Sequence, residues 1–347
     1  MIPPVSDNED AYDKLITALQ PQEGGTVLEI AILPSSHTRE ILYDKEHPAL
    51  ALPKSLLVQC YLIARKVFFG YLAAPESGQE TKDEALKASS VVLLWDPNHN
   101  TAANFRKTHI LSLSTQCAEN AYISGRQDDG RKLRDAIQTE LHLITSLQTS
   151  PLPKHPKSPT LWSHRCWLLQ NFSHLCLPLN LEDASASIQE NHVIDVDGAK
   201  LGMGMGIDGE RVEKLWEYEL GVVMRAGERH PRNYYAWGYA RQLFQLVDGK
   251  IAECGGEERA RVEWMWLEEG MGRVYAWCLM HPRDVSGWGF LVFLMQRVGE
   301  KASVGGSEGR YEVKRVVWET REWVRKYKWR GESVEWFLKA VDQLQLS

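Results

Sequence analysis

The stretch HPKSPTLWSHRCWLL, residues 155–169, gathers three side chains that could act on an anion: Lys157, His164 and Arg165. Pro156 ends the element before it, and Ser158 is of a type that caps a helix, so Lys157 falls on a turn at a helix N-terminus. Backbone N–H groups point outward there and carry the positive end of the helix dipole. A cation in that place suits the departure of an anionic leaving group such as a diphosphate. An ordinary solvated lysine is the alternative reading.

Other chemistries find less support. The eleven histidines form no HExxH pattern and no i, i+4 ligand pair. The six cysteines (Cys60, Cys117, Cys166, Cys176, Cys254 and Cys278) contain no CxxC pair, so they read as buried thiols rather than a disulfide framework or a zinc knuckle. GMGIDG, residues 204–209, matches GxGxxG by letter. No strand-to-helix βαβ context surrounds it, and it reads as part of a flexible insertion. A formal charge of −6 and a pI near 6.0 leave no global footprint for nucleic acid or an anionic membrane. Only the segment from Lys314 to Arg330 is locally basic, and its alternation of charge with Val and Trp reads as an amphipathic helix with a solvated face.

The elements that must position Lys157 emerge from an internal repeat. HPKSPTLW, HPRNYYAW and HPRDVSGW align on Trp162, Trp237 and Trp288, and DPNHNTAA fits upstream with Ala103 in the tryptophan slot. Each copy has a proline six residues before that slot: Pro97, Pro156, Pro231 and Pro282. Ser158, Asn233 and Asp284 stand four residues before it, where an N-cap belongs. The segments RKLRDAIQTELHLITSL, ERVEKLWEYELGVVMRA and ERARVEWMWLEEGMGRVYAWCLM carry apolar residues at helical spacing and form the first helix of each hairpin. In the second helix of the best copy, Trp162, Arg165, Cys166 and Leu169 share one face that should bury.

Such hairpins bury their apolar faces only by stacking, so the expected fold is all-α, a right-handed crescent or superhelical solenoid of antiparallel helical hairpins. The repeats should occupy 80–347, with loop insertions near 125–130, 178–209 and 299–309 and a degenerate fifth unit near Gly331–Trp336. Residues 1–79 read as an N-terminal extension, in which TVLEIAIL suggests one short extended segment and LPKSLLVQCYLIARKVFFGYL a capping helix. The apolar run from Leu56 to Leu72 is interrupted by Gln59, Arg65 and Lys66, and no signal-peptide pattern opens the sequence. A soluble, cytoplasmic protein with no integral membrane segment is therefore expected.

The hairpin with Pro-Lys/Arg-Asn-Tyr-x-x-Trp and Trp-x-x-Arg resembles the protein prenyltransferase α-subunit repeat. PKSPTLWSHRCWLL is similar to the second repeat of Rab geranylgeranyltransferase α subunits and PRNYYAWGYARQL to the family's third repeat, while DPNHNTAANFRK keeps Arg106 at the motif arginine. Pro159, Ala103, Ala240 and Leu291 depart from the motif. This erosion looks most like the divergent type III geranylgeranyltransferase branch. The resemblance implies an α subunit wrapped around a catalytic β subunit of Rab geranylgeranyltransferase type. That partner would hold the zinc and the geranylgeranyl diphosphate, and this chain itself would bind no cofactor. The reaction implied is transfer of a geranylgeranyl group to a protein acceptor with a C-terminal cysteine, a SNARE protein in that branch, with no nucleic acid involved. Lys157 would serve the lipid diphosphate, and Arg165, Asn233, Tyr234, Trp237, His164 and Arg106 would line the face toward the β subunit and that diphosphate. The tryptophans equally suit packing between hairpins, and Arg165 an internal ion pair. A non-catalytic helical-repeat scaffold, or a regulator that occupies the β subunit, is the competing reading.

Overall fold

The computed structural model describes residues 5–21, 27–37, 40–75, 78–124, 128–176, 209–253, 256–305 and 308–344. It is an all-α hairpin repeat with one small sheet, in two compact units, residues 1–205 and 206–347. The helices on either side of residue 79, α2 (Lys54–Ala73) and α3 (Gln79–Trp95), pack against each other inside the first unit.

In the first unit α3 and α4 (Asn100–Ser124) form one hairpin. A second is made by α5 (Asp128–Thr149) and α6 (Pro159–Phe172), with a 3-10 turn at His155–Lys157 between them. Helix α1 (Val5–Ala18) lies on α2 and α3. The extended segment expected at TVLEIAIL is strand β1 (Glu29–Leu33), but it has company: β2 (Leu42–Asp44) and β3 (Ala49–Pro53) complete a sheet of order β1-β3-β2. β1 runs parallel to β3, from Glu29 opposite Ala49 to Leu33 opposite Pro53, and β2 is antiparallel to β3.

The outer edge of β1 is closed by α5 rather than by a strand. Leu28 N–H donates to Ser146 Oγ at 3.1 Å, and Ile30 N–H to Ser150 Oγ at 2.8 Å. Each bond satisfies a backbone group that would otherwise be buried without a partner. As a result α5 is enclosed from residue 140 to its end, and its polar residues His142, Thr145, Ser146, Gln148 and Thr149 are buried with the apolar ones.

α2 is long and apolar enough to cross a membrane by length and composition. Its Leu57, Cys60, Ala64 and Phe68 are buried, and the helix packs on α1 and α3.

The second unit holds α7 (Gly209–Arg229) with α8 (Tyr234–Glu253), α9 (Gly256–Met280) with α10 (Val285–Gly305), and α11 (Glu308–Tyr327) with α12 (Glu332–Gln343). The turn of the last pair falls where the degenerate fifth unit is expected. Of the loop expected near 299–309, residues 299–305 continue α10 as helix, and only 306–307 fall outside the described residues. The insertion expected at 178–209 and the GMGIDG motif lie outside the described residues, apart from Gly209, the first residue of α7. Of the insertion expected near 125–130, residues 125–127 are likewise outside, and 128–130 already belong to α5.

Tryptophans dominate this unit's core. Trp216 meets Trp266 edge-on at 5.0 Å, and Trp237 meets Trp277 at 5.0 Å. Glycine makes the second contact fit: a Cβ on Gly287 would lie 2.5 Å from the Trp277 ring.

Candidate functional site

In the three copies that keep the tryptophan, the turn is built by the cap that the sequence places four residues before it. Ser158 Oγ accepts from Leu161 N–H at 3.1 Å, Asn233 Oδ1 from Ala236 N–H at 3.2 Å, and Asp284 Oδ1 from Ser286 and Gly287 N–H, both at 3.0 Å. The eroded first copy has a cap that sequence reasoning missed: His99 Nδ1 accepts from Ala102 N–H at 3.1 Å. Imidazole is an uncommon cap, so only its slot in the repeat could have revealed it. Each cap contributes about 1 kcal/mol to its helix.

Two of these caps also bond the neighbouring turn. Ser158 Oγ donates to Pro97 O at 2.7 Å, and Asp284 Oδ2 accepts from Arg232 N–H at 2.6 Å. That second bond helps hold Arg232 in the left-handed region, φ 59°, which side-chain-bearing residues seldom adopt. His155 adds to the stitching in the first unit, its Nε2 lying 2.9 Å from Leu94 O. In two copies the six-residue proline–tryptophan spacing also serves a hydrogen bond, one that Trp237 does not make. The Trp162 indole N–H donates to Pro156 O at 2.8 Å, and the Trp288 indole N–H to Pro282 O at 3.2 Å.

This architecture absorbs most of the residues expected to face a partner. Arg106 is buried and clamps Glu140: Nε lies 2.9 and 2.8 Å from the two carboxylate oxygens and Nη2 2.6 Å from Oε2. Its Nη1 donates to Leu86 O, Ser89 Oγ and Ser90 Oγ at 2.8–2.9 Å. Burial alone would push the Glu140 carboxyl up, but the Arg106 guanidinium outweighs it and holds the group below its ordinary range. His164 is buried with Nε2 3.5 Å from Glu140 Oε1. Burial depresses it to about 4, overriding the pull of Glu140, so it is neutral at physiological pH and the contact is not an ion pair.

Arg165 is also buried and donates to Thr145 Oγ1 at 2.8 Å and Gln148 Oε1 at 3.4 Å. It thus faces its own hairpin. In the second unit Trp237 is buried beside Trp277 and Phe290, and Asn233 is buried as a cap. Tyr234 is the opposite case, 74% exposed on the first turn of α8.

Lys157 stands apart from the other motif residues of its unit. It is half-buried on the turn before α6, and its side chain makes no hydrogen bond or ion pair among the described residues. Beyond that turn, α4 and α6 enclose a cleft of about 240 Å³ lined by Asn100, Asn104, Lys107, Pro159, Thr160 and Ser163, with Ala103 at its wall. Thr160 Oγ1 donates to Asn100 Oδ1 at 2.9 Å across it. Lys107 Nζ lies 5.6 Å from the Trp167 ring centre, and burial lowers its pKa. The cleft is open and polar, and the Lys107 ammonium group lines it. Sequence reasoning did not find Lys107, because it follows the motif arginine and belongs to no recurring position.

Among the described residues no group of three His, Cys, Asp or Glu side chains is placed to hold a metal ion. Cys60, Cys117, Cys176 and Cys278 are buried, and Cys166 is half-buried.

Helical hairpins with a proline turn, a side-chain cap and a tryptophan six residues on define a repeat class, and the matching family model gives it a name. Residues 151–172 and 216–247 match the family model described as the protein prenyltransferase alpha subunit repeat, over the α6 turn and helix in one unit and the α7–α8 hairpin in the other. It is similar to protein prenyltransferase alpha subunit repeat-containing protein 1 of Homo sapiens, 26% identical over 65% of this chain and 43% of the relative. The Danio rerio protein of that name is 24% identical over 64% of this chain and 40% of the relative. Similarity extends to the geranylgeranyl transferase type-2 subunit alpha of Saccharomyces cerevisiae, 21% identical over 76% of this chain and 63% of the relative. The chain thus spans about two fifths of the length of the repeat-containing relatives it matches.

Proposed function

We propose that this chain is the α-type subunit of a heterodimeric protein geranylgeranyltransferase acting in the cytoplasm. Its partner would be a β subunit of the Rab geranylgeranyltransferase type, and the acceptor a protein with a C-terminal cysteine, a SNARE in the branch it most resembles. One observation carries the reading. In the first unit the caps, the tryptophan and the arginines of the motif are engaged internally and His164 is buried against Trp167, so Lys157 alone among its expected site residues reaches solvent, and its side chain makes no hydrogen bond or ion pair among the described residues. A cation that the fold does not use, on a turn at a helix N-terminus, is suited to the diphosphate of the lipid donor. Zinc is assigned to the β subunit, where it would hold the acceptor cysteine as thiolate.

A scaffold or regulatory role is favoured by one observation, the burial of Arg106, Arg165, Asn233 and Trp237, since a motif kept for packing needs no catalysis. Co-expression with the type-2 β subunit separates the readings. An α-type subunit co-elutes with it as a heterodimer, and Lys157→Ala lowers lipid turnover at least tenfold while leaving the heterodimer intact. A chain that never co-elutes with the β subunit is not its α-type partner.

A further inference from the structure

α11 separates its residues into two faces more sharply than its sequence suggests. Val313, Val316, Val317 and Thr320 are buried toward the rest of the second unit. Its aromatics do not all join them: Tyr311 is 68% and Trp318 63% exposed. They belong to one stripe, Tyr311, Lys314, Trp318, Arg321 and Arg325, in which successive residues are three or four apart and every one is exposed. At helical geometry these share a single outward face. Lys326, Tyr327, Lys328 and Arg330 extend the exposed basic surface past the helix end.

Over 311–330 there are seven Lys or Arg against three Glu, in a chain whose net charge is −6. Of the three glutamates, two are taken up off the stripe and one on it. Glu312 and Glu319 are taken by Arg315, and Glu322 by Arg325. Arg321 is held by Asp342 of α12 at 2.6 Å, while Lys314, Lys328 and Arg330 carry no such bond among the described residues. Lys326 Nζ lies 5.2 Å from the Tyr327 ring centre.

We propose that this face of α11 docks on an anionic membrane surface, the helix lying in the plane of the headgroups. Tyr and Trp favour the interface, where an apolar ring and a polar edge are both satisfied, and clustered Lys and Arg on such a helix bind anionic lipid. The face is a convex helical surface, which suits a flat bilayer. Single-stranded nucleic acid binds in a charged groove with stacking platforms, and α11 offers a ridge.

The test uses the full chain and flotation with vesicles of phosphatidylcholine alone or with about a third phosphatidylserine, a composition that gives the surface its negative potential. Binding to the anionic vesicles, weakening as salt is raised, is expected, with little binding to the neutral ones. Tyr311→Ala with Trp318→Ala should weaken it severalfold, and Lys314→Glu with Lys326→Glu should weaken it on the order of a hundredfold, given the worth of each basic residue near an anionic surface. These side chains are exposed, so circular dichroism should show the fold unchanged. Equal binding to both vesicle types, no binding to either, or undiminished binding by the Lys314→Glu/Lys326→Glu variant overturns the proposal. So does retention of a single-stranded oligonucleotide without vesicle binding.

Discussion

Acid should unfold this protein earlier than its composition implies, because three histidines of the first unit are buried uncharged. Burial holds His142, His155 and His164 down to about 4, against an ordinary value of 6.5. In the unfolded chain they take up protons as pH falls below 6.5, while in the native state they stay neutral until about 4. The unfolded state therefore binds more protons across that window, and stability falls as pH falls through it. At pH 7.5 the effect is almost absent. By about pH 5.5 each histidine has cost roughly 1.4 kcal/mol, one pH unit below its unfolded value, so the three together cost about 4 kcal/mol. That is a large part of a typical net stability of about 5–15 kcal/mol.

Glu140 does not offset this loss. Its pKa is depressed in the native state, so its contribution is intact above the ordinary carboxylate value and disappears only as pH falls through its lower folded value. Urea unfolding of the full chain, followed by far-ultraviolet circular dichroism at pH 7.5, 6.5 and 5.5, reads the effect. The apparent midpoint should drop by about 1 M or more over that range, at a slope of about 2–3 kcal/mol/M. His155→Gln, which can still donate toward Leu94 O, should remove about a third of the pH dependence. A midpoint unchanged from pH 7.5 to 5.5 would refute the assignment of buried neutral histidines.

Glu140→Gln leaves Arg106 buried without its carboxylate and should destabilise by about 3–5 kcal/mol, read as a lower thermal midpoint. Gly287→Ala drives a methyl into Trp277 and should cost about 1–3 kcal/mol by chemical denaturation. Ser158→Ala removes a cap and a bond to the Pro97 carbonyl, so a loss of about 1–2 kcal/mol is expected, whereas Lys157→Ala next to it should change stability by less than about 0.5 kcal/mol.

The turns were legible in the sequence for a physical reason. Proline, cap and tryptophan at fixed offsets each perform one local task, and local tasks survive divergence. The same logic located β1 and α2, the one an extended run, the other a long apolar helix. What stayed hidden depends on contacts far apart in sequence. β2 and β3 are short, and β1 is completed by Ser146 and Ser150, more than a hundred residues away. Nothing in LHLITSLQTS announces that its polar residues are enclosed, since that follows from the sheet covering α5.

The site residues divide along the same line. Arg165 shares a helical face with Trp162 and Leu169, so its burial could be read from spacing, but its partners Thr145 and Gln148 could not. Arg106 looked like a surface motif residue because its partner Glu140 belongs to the next hairpin. Lys107 and its cleft were invisible for the same reason: α6 supplies half of the lining.

The most direct measurement of the central claim is transfer itself. The chain is co-purified with a type-2 geranylgeranyl transferase β subunit and incubated with labelled geranylgeranyl diphosphate and a SNARE acceptor ending in cysteine. Label should appear on the acceptor cysteine with the wild-type complex and fall at least tenfold with Lys157→Ala. A stable complex that transfers no label, or one indifferent to Lys157, would contradict the account.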